Sequence, residues 1–479
     1  MVAKLNLKMM EDIGTISVQK ELGHSVSIQI FADSIRENLN PLLPFSSDIG
    51  TISEEKNELG YSVSIQKLAD SIRENLNPVL PLSSETCIYR VPEVLRRVSE
   101  SAYTPKLVSI GPFHRDNGSL GKMNVHKRMY LKTYLDWYPE IKLESCLESL
   151  RGIEGRARQC YAEFINLNSF QFVEMMLLDG FFVIVFLIKF YSPERRGSDP
   201  IFDTMWMSWV IEHDMILLEN QLPFFVLEHL FNLAPDSKLD DTYPDLFDMT
   251  IQVFEGLVET NATPDTIDRS KVKHILDLLR GCCIPLFPIA SPQVDRMSKV
   301  RYSVTELHDS GVKFKAGVSG SKCLLDVKFD GGVLEIQPIC IEDRTEPFFR
   351  NLIALEQFHY RNHAYVTSYA VFLDNLINTP KDAGLLIHHD IIENCLGDHK
   401  EVSRSIKNLS KTVLADGSYF ASDYAKLEVY CKRRRHKWMT SLRRTYFHSP
   451  WAIISFIAAV FLIILTLIQT ICSIISLSS

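Results

Sequence analysis

The ten cysteines of this sequence include no C-x-x-C pair, which removes the spacing of a zinc knuckle or a thioredoxin-type dithiol. They are scattered at Cys87, Cys146, Cys160, Cys282, Cys283, Cys323, Cys340, Cys395, Cys431 and Cys472. Such scatter reads as reduced thiols of a cytosolic body rather than as disulfide scaffolding. There is no G-x-x-x-x-G-K-[ST] phosphate loop, no G-x-S-x-G elbow and no H-E-x-x-H pair. Two near misses fail on spacing. Gly118-Ser-Leu-Gly121-Lys122-Met123 is too short and has no hydroxyl after its lysine, and Gly317-Val-Ser319-Gly320-Ser321 carries its second glycine one place early. The N-terminus has no apolar core of signal-peptide length. No charged residue follows Arg444, and no Asp or Glu occurs between Lys432 and Ser479.

What is present is ordinary globular material: 479 residues, 46% apolar and 23% charged. This excludes a disordered, collagenous or small disulfide-bonded chain. The net charge is -8, but Lys432, Arg433, Arg434, Arg435, Lys437, Arg443 and Arg444 contribute +7, leaving -15 on residues 1–431. An acidic body repels a phosphate backbone, so no nucleic-acid partner is expected.

The basic cluster precedes an apolar run of 27 residues, 451–477. About 20 apolar residues suffice to cross the hydrocarbon of a bilayer. Trp451, Ile454, Phe456, Phe461, Leu465 and Leu467 belong to this expected membrane anchor, and Tyr446, Phe447 and Trp451 stand where an interfacial aromatic belt belongs. Pro450 suits a first helical turn. Positive residues flank only the N-terminal side, so the cytosol is the expected home of residues 1–447, in a tail-anchored, single-pass arrangement with the plasma membrane as the expected compartment. The sequons at Asn117, Asn261 and Asn408 test this orientation, because sugar on any of them would place the body in a lumen.

Along the chain, residues 1–84 hold a duplicated unit. Ser25–Ser47 recurs as Ser62–Ser84, and each copy carries an amphipathic helical pattern: Ile28, Phe31, Ile35, Leu39, then Ile65, Leu68, Ile72, Leu76. Two copies are too few for a solenoid. We expect the second to belong to the domain and the first to be a loosely attached extra. Residues 85–431 read as one helix-rich domain, with a lobe boundary expected at the prolines of 281–299. Residues 432–447 form a basic juxtamembrane segment and 448–479 the anchor. Phe181–Ile188 is apolar but lies between Asp179 and Lys189, and eight residues are too few to span, so it reads as core. Residues 203–219 and 224–232 read as two helices broken at Leu222-Pro223. Alternation over 312–315, 325–329 and 333–337, with Asp330-Gly331-Gly332 between the last two runs, predicts a hairpin. A helix follows over 345–359, with Thr345 as N-cap and Glu346/Arg350 paired at i,i+4. The fold class is therefore mostly α (α+β), with one small antiparallel region and a C-terminal transmembrane helix.

Candidate chemistry is thin. His359 and His363 fall at i,i+4 after Glu356, which would suit a metal on one helical face, but no third ligand motif accompanies them and ordinary helix-surface histidines are the better reading. Glu219-Asn220-Gln221, ahead of Pro223, reads as a cap for helix-end carbonyls and a fixed corner between two helices. Asp179 and Glu356-Gln357 read as structural too. No catalytic, cofactor-binding or metal-binding set is expected, and no cofactor.

The motifs Cys87-Ile-Tyr-Arg-Val-Pro, Tyr103-Thr-Pro-Lys-Leu-Val-Ser-Ile-Gly-Pro-Phe-His114, Met176-Leu-Leu-Asp-Gly180, Leu217-Leu-Glu-Asn-Gln-Leu-Pro-Phe-Phe225, Gly311–Lys315, Phe349–Gln357, Tyr369–Ile377 and Pro450–Phe456 occur in order. Together they resemble the plant domain of unknown function 247 family over residues 85–477. The chain departs from that pattern at Val185, where an acidic residue is usual. The family has no established activity, and resemblance to members linked with grass self-incompatibility implies recognition or signalling. The expectation is thus a non-enzymatic, membrane-tethered interaction protein whose partners are the lipid bilayer and unidentified proteins. The alternatives are a membrane-anchored, hydrolase-like enzyme with several of Asp179, Asp214, Glu219 and Glu356 converging in a pocket, and a nuclear factor using the Lys432–Lys437 patch.

Overall fold

A computed structural model describes residues 65, 67–72, 83–234, 244–258, 267–284, 302–317, 323–414, 418–432 and 450–478. The first repeat copy, most of the segment expected as a lobe boundary and the basic residues from Arg433 to Arg444 lie outside the described residues. In the second copy, Ile65 and Lys67–Ile72 are helical, with Ile65, Leu68 and Ile72 exposed rather than packed.

The chain divides into two units, Met1–Val253 with Arg269–Leu278, and Phe254–Asp268 with Leu279–Ser479. The first is built on helices α1 (Asn124–Trp137), α2 (Leu143–Gln159), α3 (Ser169–Tyr191), α4 (Met205–Met215), α5 (Phe224–Phe231) and α6 (Leu246–Val253). Its hub is α3, which packs against α1, α2, α5 and α6. A capping box starts α3: the Asn168 side chain accepts from the Gln171 N–H, and the Gln171 side chain accepts from the Asn168 N–H. Every residue from Phe181 to Ile188 is buried, each large side chain contributing roughly 1.5–3 kcal/mol. The run expected as core is core. The two charges that bound it are both neutralised in place. Asp179 pairs with Lys127, and Lys189 Nζ lies 2.6 Å from Asp199 Oδ2, which also accepts from the Tyr130 hydroxyl at 2.9 Å. A helix apolar on all sides belongs inside such a bundle.

The second unit contains α8 (Val304–Asp309), β1 (Lys313–Ala316), β2 (Val327–Asp330), β3 (Val333–Ile336), β4 (Ile339–Ile341), α9 (Thr345–Phe358), α10 (Tyr365–Leu376), α11 (Pro380–His388), β5 (Ile392–Asn394), α12 (His399–Ser410), α13 (Ala421–Lys432) and α14 (Pro450–Ser478). The helix α7 (Ile275–Cys283) has residues in both units. Strands β2 and β3 form the predicted hairpin, Val327 opposite Ile336 and Asp330 opposite Val333. Gly331 and Gly332 have φ of 56° and 89°, as a two-residue turn twisted to match its strands requires. The expected small antiparallel sheet is corrected in two respects. Strand β1 joins β3 in parallel, which makes the sheet mixed. A second parallel pair, β4 with β5, lies outside the region where alternation was visible, because three-residue strands carry too little pattern to read. Thr345 is not an N-cap but the first helical residue of α9. Its hydroxyl accepts from Glu342 N–H at 2.9 Å and donates to Cys340 C=O at 3.1 Å, tying β4 to the helix. The Glu346–Arg350 pair forms at 3.0 Å.

Helix α14 is long and apolar enough to cross a membrane. Of the residues expected to form the anchor, Trp451, Ile454, Phe456, Phe461, Leu465 and Leu467 are all exposed. Lys432, the described member of the basic cluster, ends α13 and pairs with Glu428 at 2.6 Å.

Candidate functional site

The segment Lys106–Gly111 belongs to no helix or ladder, so its backbone donors need other acceptors. Side chains supply them. Asp214 Oδ1 accepts from the N–H of Lys106 at 2.8 Å, and Oδ2 accepts from Leu107 at 2.7 Å and Val108 at 2.8 Å. Asn220 Oδ1 accepts from Ile110 at 2.7 Å. Asp179 Oδ2 accepts from Gly111 at 2.9 Å. Lys127 closes the group, donating to the Ser109 carbonyl at 2.5 Å and pairing with Asp179. Gly111 has φ of 78°, and a Cβ there would lie 2.6 Å from the Gln221 carbonyl oxygen, so only glycine fits this corner.

The expected capping role of Asn220 and Gln221 is met. Asn220 Nδ2 donates to the Asp214 carbonyl at 2.9 Å and to that of Val108 at 3.0 Å, and Gln221 Nε2 donates to Met215 at 2.6 Å and Leu217 at 2.8 Å. Of these, the Asp214 and Met215 carbonyls are orphans at the end of α4. Glu219 does something else. Its carboxylate is buried, with 1% of the residue exposed, and it accepts the Val91 N–H at 2.6 Å. Arg96 binds the same oxygen, while His114 Nε2 lies 3.0 Å and Arg90 Nη1 3.7 Å from the other. Arg90 also binds Glu163 and lies over the Phe113 ring. Burial pushes the Glu219 carboxyl up, but His114 and Arg96 outweigh it and hold it below the usual glutamate value. For Asp179 the balance is reversed. Full burial dominates over Lys127 and the Gly111 N–H, and the carboxyl is pushed up.

The second unit repeats the device around Glu356. Its oxygens accept from Arg280 Nε at 3.1 Å, the Val366 N–H at 3.1 Å, and the N–H and hydroxyl of Thr367, both at 2.8 Å. Val366 and Thr367 are in the first turn of α10, where N–H groups lack helical partners and negative charge is favoured. Arg280 continues to the His363 carbonyl at 2.5 Å and stacks on Tyr360. Burial raises the Glu356 carboxyl against these contacts. Asp382 plays a similar part, accepting from Thr379 and Thr305 and so joining the starts of α11 and α8.

The suggested His359/His363 face does not form. Helix α9 ends at Phe358, and His363 lies in a separate short turn, Arg361–His363. No group of three or more His, Cys, Asp or Glu suited to a metal occurs among the described residues. Asp179, Asp214 and Glu219 are therefore brought into one polar core of the first unit, where each is used by the chain's own donors. Glu356 is used the same way in the second. The sequence reading missed Arg90, Arg96, His114, Lys127 and Arg280. The available signal was the irregular, proline- and glycine-bearing stretch 103–114, whose backbone had to be satisfied by something.

A family model described as "Plant protein of unknown function" matches residues 88–465. The UPF0481 protein At3g47200 of Arabidopsis thaliana is 30% identical over 416 residues, covering 81% of this chain and 86% of its own length. A second Arabidopsis UPF0481 protein, At3g02645, is 22% identical over 482 residues, covering 80% and 89%. No solved structure matches the chain. With a family match across residues 88–465 and a relative 30% identical over most of both chains, the chain belongs to the plant family DUF247.

Proposed function

We propose that this protein is a membrane-anchored, non-enzymatic recognition or signalling component. The observation that carries the reading is helix α14, apolar over its length, with Trp451, Phe461 and Leu465 open to the surroundings and no acidic residue after Glu428. A helix of that kind is costly in water and stable in lipid. The basic flank up to Arg444 favours a cytosolic body. Support for a binding rather than a catalytic role comes from the buried carboxylates. Asp179, Asp214, Glu219 and Glu356 already hold backbone N–H groups of the same chain, and all but Asp214 a cation as well, and a carboxylate so occupied is poorly placed to act on a substrate. The acidic body suits protein rather than nucleic-acid partners.

Carbonate extraction of full-length protein from plant microsomes, beside a chain ended at Ser449, tests the anchor. Full-length protein is expected in the pellet and the shortened chain in the supernatant. Release of both would sink the reading. Crosslinking and affinity capture from intact membranes then tests recognition, with a specific protein partner expected, and glycosidase treatment tests the orientation, with no mass change expected.

A further inference from the structure

Strands β4 and β5 are far apart in sequence, yet they place two thiols side by side. Cys340 is opposite Glu393 in the parallel register, and Cys395 follows two residues after Glu393, on the same face. The two Sγ atoms are 3.3 Å apart, inside ordinary van der Waals contact, and neither is in a disulfide. Both backbones are held. The Cys395 N–H donates to the Ile341 carbonyl at 3.0 Å, the Asn394 side chain accepts from Leu396 and Gly397 just beyond, and the Cys340 carbonyl accepts from Thr345. Cys395 is exposed and Cys340 half-buried, the latter lining a recess with Leu257, Leu324, Ile339, Phe348 and Phe349.

We propose that Cys340 and Cys395 form a redox-active dithiol, a modification site at which a hydroperoxide converts the pair to an intramolecular disulfide. Cys395, the exposed thiol, attacks a peroxide oxygen as thiolate and expels hydroxide, leaving a sulfenic acid. The Cys340 sulfur then attacks the Cys395 sulfur. The S–O bond breaks, hydroxide leaves and takes the Cys340 proton as water. Two thiols and one hydrogen peroxide give one disulfide and two waters, and the sulfur pair passes two electrons to the peroxide. Burial and the Cys395 contact raise the Cys340 thiol to about 12, so the first attack on peroxide falls to Cys395. The product joins β4, which leads into α9, to β5, which leads into α12.

The molecule contains its own control. Cys87 and Cys160 are also neighbours, the Cys87 N–H donating to the Cys160 carbonyl at 2.9 Å, but they are 1% and 2% exposed, so peroxide does not reach them. The proposal does not depend on the membrane reading, since both thiols lie in the body.

The test uses the full chain, purified reduced in detergent and treated with hydrogen peroxide, then alkylated and digested without reductant. The expected product is a linked peptide pair carrying Cys340 and Cys395, 2 Da below the sum of the free peptides, with Cys87 and Cys160 still alkylated. In Cys340→Ser the link is lost and a sulfenic-acid probe labels Cys395 at least tenfold more than in the unaltered chain. Cys395→Ser abolishes both signals. Alkylation of both thiols undiminished by peroxide, or a Cys87–Cys160 link formed first, overturns the proposal, and because the first readout uses the unaltered chain it stands whatever the variants do.

Discussion

Two helices among the described residues are long and apolar enough to cross a membrane, and they have opposite surroundings. In α3, 83% of the most apolar window is buried inside the protein, while in the matching window of α14 none is. Hydropathy does not separate them. Charge does. Helix α3 carries Asp179 and Lys189, which the body neutralises with Lys127 and Asp199. Helix α14 carries no ionisable acid or base except the thiol of Cys472, so it asks nothing of the protein around it. An apolar run bounded by charges needs partners of opposite sign at fixed positions, and a folded core supplies those better than a bilayer does.

The comparison can be broken most forcefully by adding a charge to each helix. Ile184→Asp puts an unpaired carboxylate at a fully buried position of α3. The expected loss exceeds about 5 kcal/mol, seen as loss of the cooperative unfolding transition. Removing the buried acid α3 already has is the next largest effect. Asp179→Ala strands Lys127 in the interior and costs about 3–5 kcal/mol, read as a lower denaturant midpoint. In α14 the same kind of change acts elsewhere. Leu465→Lys opposes insertion by about 3 kcal/mol, so the carbonate-resistant fraction falls while the unfolding midpoint of the body stays unchanged. Equal effects of Ile184→Asp and Leu465→Lys on folding would erase the distinction. Close packing gives a smaller contrast. A Cβ at Gly180 would lie 2.3 Å from a Leu230 methyl, so Gly180→Ala destabilises by about 1–3 kcal/mol, whereas Ala459→Leu on the exposed helix leaves the midpoint where it was.

Acid sharpens the comparison least. Glu219 is held below its ordinary value of 4.5, so its contribution is complete above that pH and is lost as pH falls through the lower folded value. Asp179 and Glu356 are raised in the fold. Their ionised forms cost stability that is recovered as pH falls, which opposes the Glu219 effect. Glu219→Gln is expected to remove part of the stability of the first unit at neutral pH and to flatten its decline below about pH 4.5, followed by thermal unfolding. Retention of α14 in lipid should not change over that range, because the sequence from Lys432 onward has no carboxylate side chain to titrate.

Much of the fold was legible where the cause is local. The Asp330-Gly331-Gly332 turn announces its hairpin, because two adjacent glycines accept positive φ without strain. The Glu346–Arg350 pair and the caps of Asn220 and Gln221 were readable because the partners are a helical turn or two away. Glu219 was only half legible. Its place beside a helix end was evident, but Arg90, Arg96 and His114 are more than a hundred residues earlier, and nothing in the spacing says they will meet it. Strand β4 is three residues long and its partner β5 begins some fifty residues later, too short and too distant to leave a periodic trace.

By itself, the sequence determined that the chain is helix-rich, that it ends in an apolar helix after a basic cluster, and that Phe181–Ile188 is core. These follow from composition and period, which act over a few neighbouring residues. Only the tertiary structure decided which donors each buried carboxylate holds, that β1 runs parallel to β3, and that Cys340 touches Cys395. Those outcomes depend on chain closure over tens to hundreds of residues, where the need to satisfy every buried polar group, rather than any local preference, selects the partner.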